Sequence, residues 1–125
     1  MSLNKKILMV DDFKDESDFL YHKLKNKITS FSKSNIKHAL CHEEALELLK
    51  SFKPDLIMLD LNISGKTLED GLEFLSFAKN ILKIPVYIYS GSLDPNDIVE
   101  THKQGANNYI YKNATPEKII ETLGF

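Results

Sequence analysis

The sequence predicts an α/β fold, a doubly wound parallel sheet of five strands with helices on both faces. Three observations predict it. Short apolar runs of strand length alternate with amphipathic stretches of helical period five times along the chain. Two of those apolar runs stop abruptly at aspartates. Proline and glycine fall between the periodic segments, where chain breaks belong.

Each element follows in order. Ile7-Leu8-Met9-Val10 is a continuous apolar run, as expected of a strand buried on both faces, and ends at Asp11-Asp12. Asp15 to Lys27 carries Phe19, Leu20 and Leu24 at helical spacing. Ile36 to Cys41 is the second strand. Glu43 to Phe52 presents Ala45, Leu46, Leu48, Leu49 and Phe52 as one broad apolar face, and Pro54 ends it. Leu56-Ile57-Met58-Leu59 is the third strand and stops at Asp60. A polar loop, Ile63 to Asp70, leads to a helix over Gly71 to Ile81. Val86 to Tyr89 is the fourth strand. Asp94-Pro95 has a capping residue before a first-turn proline, and that helix runs to about Gln104, with Gly105 to end it. Asn108 to Tyr111 is the fifth strand. Thr115-Pro116 repeats the cap-plus-proline signal and opens a last helix through Leu123. Right-handed crossovers leave few topologies, and the common five-stranded order is 2-1-3-4-5.

The totals set bounds. A chain of 125 residues suits one domain with its own core, and residues 1–125 are read as that domain with no output domain attached. No apolar run approaches a membrane span and no signal-peptide pattern opens the chain, so a cytoplasmic location is expected. Cys41 is the only cysteine, which excludes an internal disulfide and is read as a small buried hydrophobe. All sixteen basic residues are lysine and the net charge is -2. Without arginine, and slightly acidic, the chain is a poor candidate for nucleic-acid binding. Lys23, Lys25 and Lys27 are read as the solvated face and end of a helix.

The polar residues at strand ends carry the chemistry. Asp11 and Asp12 follow the first strand, Asp60 the third, and Lys112 the fifth, while Ser90 ends the fourth. In a parallel sheet all of these lie on one edge. Three carboxylates there repel one another, and a hard divalent cation such as Mg2+ relieves this with oxygen ligands. Lys112 supplies a fixed positive charge and Ser90 a hydroxyl donor. Asp60 could act as a nucleophile and form an acyl phosphate. Phosphoryl transfer needs mainly positioning and charge neutralisation, and this set supplies both.

Val10-Asp11-Asp12-Phe13, Leu59-Asp60-Leu61-Asn62, Tyr89-Ser90-Gly91 and Tyr109-Ile110-Tyr111-Lys112 resemble the landmarks of response-regulator receiver domains, and Glu43 to Leu49 is similar to that family's second helix. The resemblance spans essentially the whole chain and implies a flavodoxin-like (βα)5 fold. It implies that Asp60 accepts a phosphoryl group from a sensor histidine kinase or a histidine phosphotransfer protein. It further implies that Asp12 binds Mg2+ directly, Asp11 mainly through water, and Asn62 through its backbone carbonyl. Lys112 would hold a phosphoryl oxygen. Ser90 and Tyr109 would form the switch that alters the face made by the fourth helix, fifth strand and fifth helix, where a downstream protein target binds. At most, weak autophosphatase activity is implied.

Two features depart from the family pattern. The Ile63 to Asp70 loop is about three residues longer than expected, with Ser64 where proline is usual. It is read as a tolerated, mobile surface insertion. Asn113 follows Lys112, where the family usually has proline, often after a cis bond. A cis Lys112-Asn113 bond is expected if the phosphate site enforces it, at about 3 kcal/mol over trans. A trans bond with a shifted lysine is the alternative.

Two other functions compete. A phosphatase working through an aspartyl phosphate would want an acid two residues after the nucleophile, where this chain has Asn62. A pseudo-receiver acting only as a protein-interaction module would be expected to lack one of the five key residues, and none is missing. His22, His38, His42 and His102 are read as surface residues without a metal role.

Overall fold

The computed structural model describes residues 5–125. Five strands alternate with five α-helices: β1 Ile7–Val10, α1 Glu16–Lys25, β2 Ile36–Ala39, α2 His42–Leu48, β3 Leu56–Leu59, α3 Leu68–Asn80, β4 Val86–Ser90, α4 Pro95–Lys103, β5 Asn108–Tyr111 and α5 Pro116–Leu123. A 3-10 turn, Lys33–Asn35, leads into β2. The strands are all parallel, in the order β2-β1-β3-β4-β5.

The apolar runs explain the layers. Successive side chains of a strand point to opposite faces, so an unbroken run supplies two cores at once. Leu8, Val10, Ile57, Leu59 and Ile88 face one way and pack with Ala45, Leu72, Phe74, Leu75 and Ala78 of α2 and α3. Ile7, Met9, Leu56, Met58, Tyr89 and Ile110 face the other way, against Leu20 and Leu24 of α1 and Ile119 and Leu123 of α5. No helix among the described residues is long and apolar enough to cross a membrane.

Helix α1 corrects the expected apolar face. Its buried residues are Glu16, Leu20 and Leu24, four residues apart, so a glutamate takes a core-facing position. Phe19 lies outside this stripe, is 50% exposed, and packs instead on Phe13 with ring centroids 5.7 Å apart. Leu46, expected within the apolar face of the second helix, is likewise exposed.

Helix α3 begins three residues earlier than the glycine-based expectation of Gly71. Thr67 is its N-cap: its hydroxyl accepts from the Asp70 amide at 3.2 Å, while an Asp70 carboxylate oxygen accepts from the Thr67 amide at 2.9 Å. This reciprocal capping box satisfies two amides that a helix start leaves open. The extra residues thus extend the helix instead of lengthening the loop. Thr67→Ala is expected to lower stability by about 1 kcal/mol in urea unfolding, the usual worth of such a cap.

Candidate functional site: an acidic crevice closed by Lys112

The sheet ladder itself positions the site. Asp11, Asp60 and Lys112 each make one further backbone bond just past their strands. The Asp11 amide donates to the Ala39 carbonyl at 3.0 Å, that of Asp60 to Val10 at 2.9 Å, and that of Lys112 to Ser90 at 2.8 Å. Their backbones are therefore held as firmly as the strands, and their side chains project from the carboxyl edge.

The structure brings the three expected aspartates together. Asp11, Asp12 and Asp60 each offer a carboxylate oxygen, and these oxygens lie within 4.8 Å of one another. Asp11 and Asp60 are buried, at 1% and 5% exposure, while Asp12 is exposed. Asp12 Oδ2 accepts from the Ser64 amide at 2.8 Å, which ties the loop after β3 to the crevice. Asp60 Oδ1 accepts from the Asn62 amide at 3.0 Å. Burial pushes the Asp60 carboxyl above the usual aspartate range; the Asn62 amide and Lys112 oppose this, and Asp11 adds to it.

Lys112 reaches across the crevice. Its Nζ lies 2.7 Å from Asp11 Oδ2, 3.2 Å from Asp60 Oδ2 and 3.4 Å from Glu16 Oε1. Burial alone would lower its pKa, but the carboxylates of Asp11, Asp60 and Glu16 outweigh burial and raise it. The Lys112-Asn113 bond is trans, since the described residues contain no cis peptide. That corrects the expectation of a cis bond, and no shifted lysine results, because Nζ still bonds Asp60. The physical reason is that asparagine, unlike proline, strongly prefers the trans bond. From α1, Lys23 Nζ donates to the Lys112 carbonyl at 3.1 Å and to the Tyr89 hydroxyl at 3.2 Å. Lys23 is therefore half-buried and structural, not the solvated charge that the sequence suggested.

Four carboxylates share the crevice with one ammonium, three of them in contact with it, and the buried Asp11 Oδ2, although an ion-pair partner of Lys112, receives no aligned hydrogen bond. An excess of carboxylate oxygen with an unfilled acceptor fits a hard divalent cation.

Ser90 is fully buried at the end of β4, and its Oγ accepts from the Ser92 amide at 3.1 Å. Tyr109 is half-buried against the α2/α3 core cluster and donates its hydroxyl to the Ser92 carbonyl at 2.9 Å. Burial raises its pKa, while hydrogen bonding to Ser90 and Ser92 acts the other way. The two expected switch residues thus meet through the loop after β4. Asn62 is exposed beside Asp60.

The loop after β3, read from the sequence as a mobile insertion, is tied back to the fold at several points. Gly65 takes a left-handed φ of 78°, which glycine adopts without strain, and lets the chain turn so that the Lys66 amide bonds the Ile63 carbonyl at 3.0 Å. Lys66 Nζ then pairs with Glu43 Oε2 of α2 at 2.6 Å. The Lys66 hydrogen bond leads the causes that lower the Glu43 pKa, to about 2. The contribution of this pair is present above the ordinary glutamate value and is lost as pH falls through about 2. Lys66→Met is expected to return the Glu43 titration, followed by NMR, to the ordinary glutamate range.

Several residues escaped the sequence reading. Glu16 and Lys23 look like surface charges until the helix register is fixed from Leu20 and Leu24. His38 is half-buried, and its Nε2 lies 2.8 Å from the Asp11 carbonyl. His42 is buried and stacks on Phe74 at 5.1 Å, and burial, then Lys66, lowers its pKa. Cys41 is half-buried at the start of α2.

Comparison with known proteins agrees with this geometry. The profile of the response regulator receiver domain matches residues 7–124. The chain is similar to the nitrate/nitrite response regulator NarL of Escherichia coli K12, 37% identical over 82 residues, covering 65% of this chain and 37% of that one. It is similar to the chemotaxis protein CheY of Thermotoga maritima, 27% identical over 125 residues, covering 97% and 96%. A two-component response regulator from Clostridium difficile superposes with a TM-score of 0.76 at 25% identity, covering 95% of both chains. The matched region is only 37% of NarL and 45% of the sensory transduction protein LytT of Bacillus anthracis. Strand order, acidic crevice and profile agree: the chain belongs to the receiver domain family of two-component response regulators.

Proposed function

We propose that Asp60 is the phosphoryl acceptor and that Asp11, Asp12, Asp60 and the Asn62 carbonyl hold Mg2+ beside it. The observation that carries this reading is the Lys112 ammonium seated 3.2 Å from Asp60 Oδ2, with Asp11 and Asp12 around it.

Attack by an Asp60 carboxylate oxygen on the phosphorus of a phosphohistidine forms a P–O bond as the P–N bond breaks. The electron pair leaves with the donor imidazole, which takes a proton from solvent. Mg2+, when bound, neutralises phosphoryl charge. Lys112 holds one phosphoryl oxygen by charge, and the Ser90 hydroxyl donates to another. Burial keeps Asp60 out of bulk water, and the sheet ladder keeps it aimed. The phosphoryl donor is a sensor histidine kinase or a phosphotransfer protein.

Ser90 and Tyr109 couple the phosphoryl group to the α4-β5-α5 face. Support comes from α4, where Thr101 is the one buried residue and Ile98 and Val99 are 37% and 49% exposed. A helix so lightly anchored shifts at low cost. This face is the proposed docking surface for a downstream protein.

The test is intact mass after incubation with acetyl phosphate and Mg2+. Wild type is expected to gain one phosphoryl group, with none on Asp60→Asn or with excess chelator. A wild-type chain that gains nothing would favour a domain that only binds partners.

A further inference from the structure

One charge in the crevice has no place in the transfer just described. Glu16 is 7% exposed, although glutamate is seldom buried without a partner. It sits in the first turn of α1, and its Oε1 lies 3.4 Å from Lys112 Nζ. Seven residues on, and so on the same helix face, Lys23 bonds the Lys112 carbonyl. Helix α1 thus grips Lys112 at both ends, Lys23 at the backbone and Glu16 at the ammonium. The Lys23 bond does not conflict with phosphorylation, because the Lys112 carbonyl takes no part in it. The Glu16 contact does conflict, because the same ammonium is needed by the phosphoryl group.

We infer that Glu16 is a positioning residue that competes with the phosphoryl group for Lys112 and so weakens the phosphorylated state. The inference rests on Asp60 being the acceptor. In the free crevice Lys112 is shared among Asp11, Asp60 and Glu16. A phosphoryl group on Asp60 adds negative charge a few ångström away and draws the ammonium toward itself. The Glu16 backbone is held in α1 and its side chain is buried, so moving Lys112 leaves the Glu16 charge less compensated. That loss is absent without the Glu16 charge, so removing the charge favours the phosphorylated form.

The sign of the effect separates this role from a structural one. Beryllofluoride, a phosphoryl analogue, is titrated at saturating Mg2+ against wild type, Glu16→Gln and Glu16→Leu, with binding followed by calorimetry and folding by circular dichroism. Both variants are expected to bind beryllofluoride about threefold or more tightly than wild type, the order expected when a unit charge close to the shared ammonium is removed. A group that merely supported the fold would weaken binding when replaced. Unchanged or weaker binding by both folded variants would overturn the role of Glu16 and leave Asp60 as acceptor. Failure of both variants to fold would assign Glu16 to the fold and overturn it as well. If wild type itself binds no beryllofluoride, the acceptor reading falls, and this one with it.

Discussion

Lys112→Ala is expected to lower the stability of the domain by about 2–4 kcal/mol at neutral pH, because it leaves buried carboxylates without their counter-charge. Asp11, Asp60 and Glu16 converge on this one ammonium, and no other lysine contacts any of them by ion pair among the described residues. This lies somewhat below the usual range of about 3–5 kcal/mol for breaking buried pairs, since Lys112 remains 21% exposed at its side chain and water softens the repulsion. The pH dependence follows from the sign of the shift. The Lys112 pKa is raised, so its contribution is fully present below the ordinary lysine value and is lost only as pH climbs past it. The Asp60 carboxyl, raised above the usual range by burial, protonates first as pH falls and then needs no counter-charge, so its share of the difference between wild type and variant narrows on the acid side. Urea unfolding at several pH values measures this. A variant as stable as wild type at neutral pH would mean that the three contacts contribute nothing net.

Asp12→Asn is expected to weaken Mg2+ binding by about tenfold or more with little change in the fold. Asp12 is exposed, and among the described residues its carboxylate takes one hydrogen bond, from the Ser64 amide to Oδ2. An asparagine oxygen accepts the same bond, so the loop stays in place while one unit of charge leaves the cluster. The chain has five tyrosines and no tryptophan, so Mg2+ titration is followed by tyrosine fluorescence or by the shift in thermal midpoint. Asp15→Asn, an exposed acid outside the cluster, serves as the control. Equal affinity in wild type and Asp12→Asn would place the cation elsewhere.

The sheet was legible because its strands are buried on both faces. Ile7–Val10 and Leu56–Leu59 appear as unbroken apolar runs with charged or polar neighbours, and the structure ends them where the sequence does. The aspartates that stop them could be placed on one edge by topology alone. The start of α3 was misread because Gly71 looks like a boundary, whereas Thr67 and Asp70 carry the capping signal three residues apart. Gly71 instead lies within α3, where a Cβ would meet the Leu61 side chain at an ordinary contact distance of 3.4 Å. Glu16 and Lys23 were hidden for another reason. Charged residues in a short amphipathic helix usually face water, and only the observed stripe of Glu16, Leu20 and Leu24 shows which way this helix is turned. The trans Lys112-Asn113 bond follows from the sequence itself, since asparagine lacks the tertiary amide that makes a cis bond cheap; the Lys23 contact with the Lys112 carbonyl joins residues 89 apart, and no local pattern encodes it.

The phosphoryl group is proposed to reside on Asp60, and its position can be read directly. Acyl phosphates are reduced by borohydride to the alcohol, so a phosphorylated aspartate becomes homoserine at its own position. After reaction with acetyl phosphate and Mg2+, reduction, digestion and peptide sequencing, homoserine is predicted at position 60. Homoserine at position 11 or 12, or at no position, would show that Asp60 is not the acceptor.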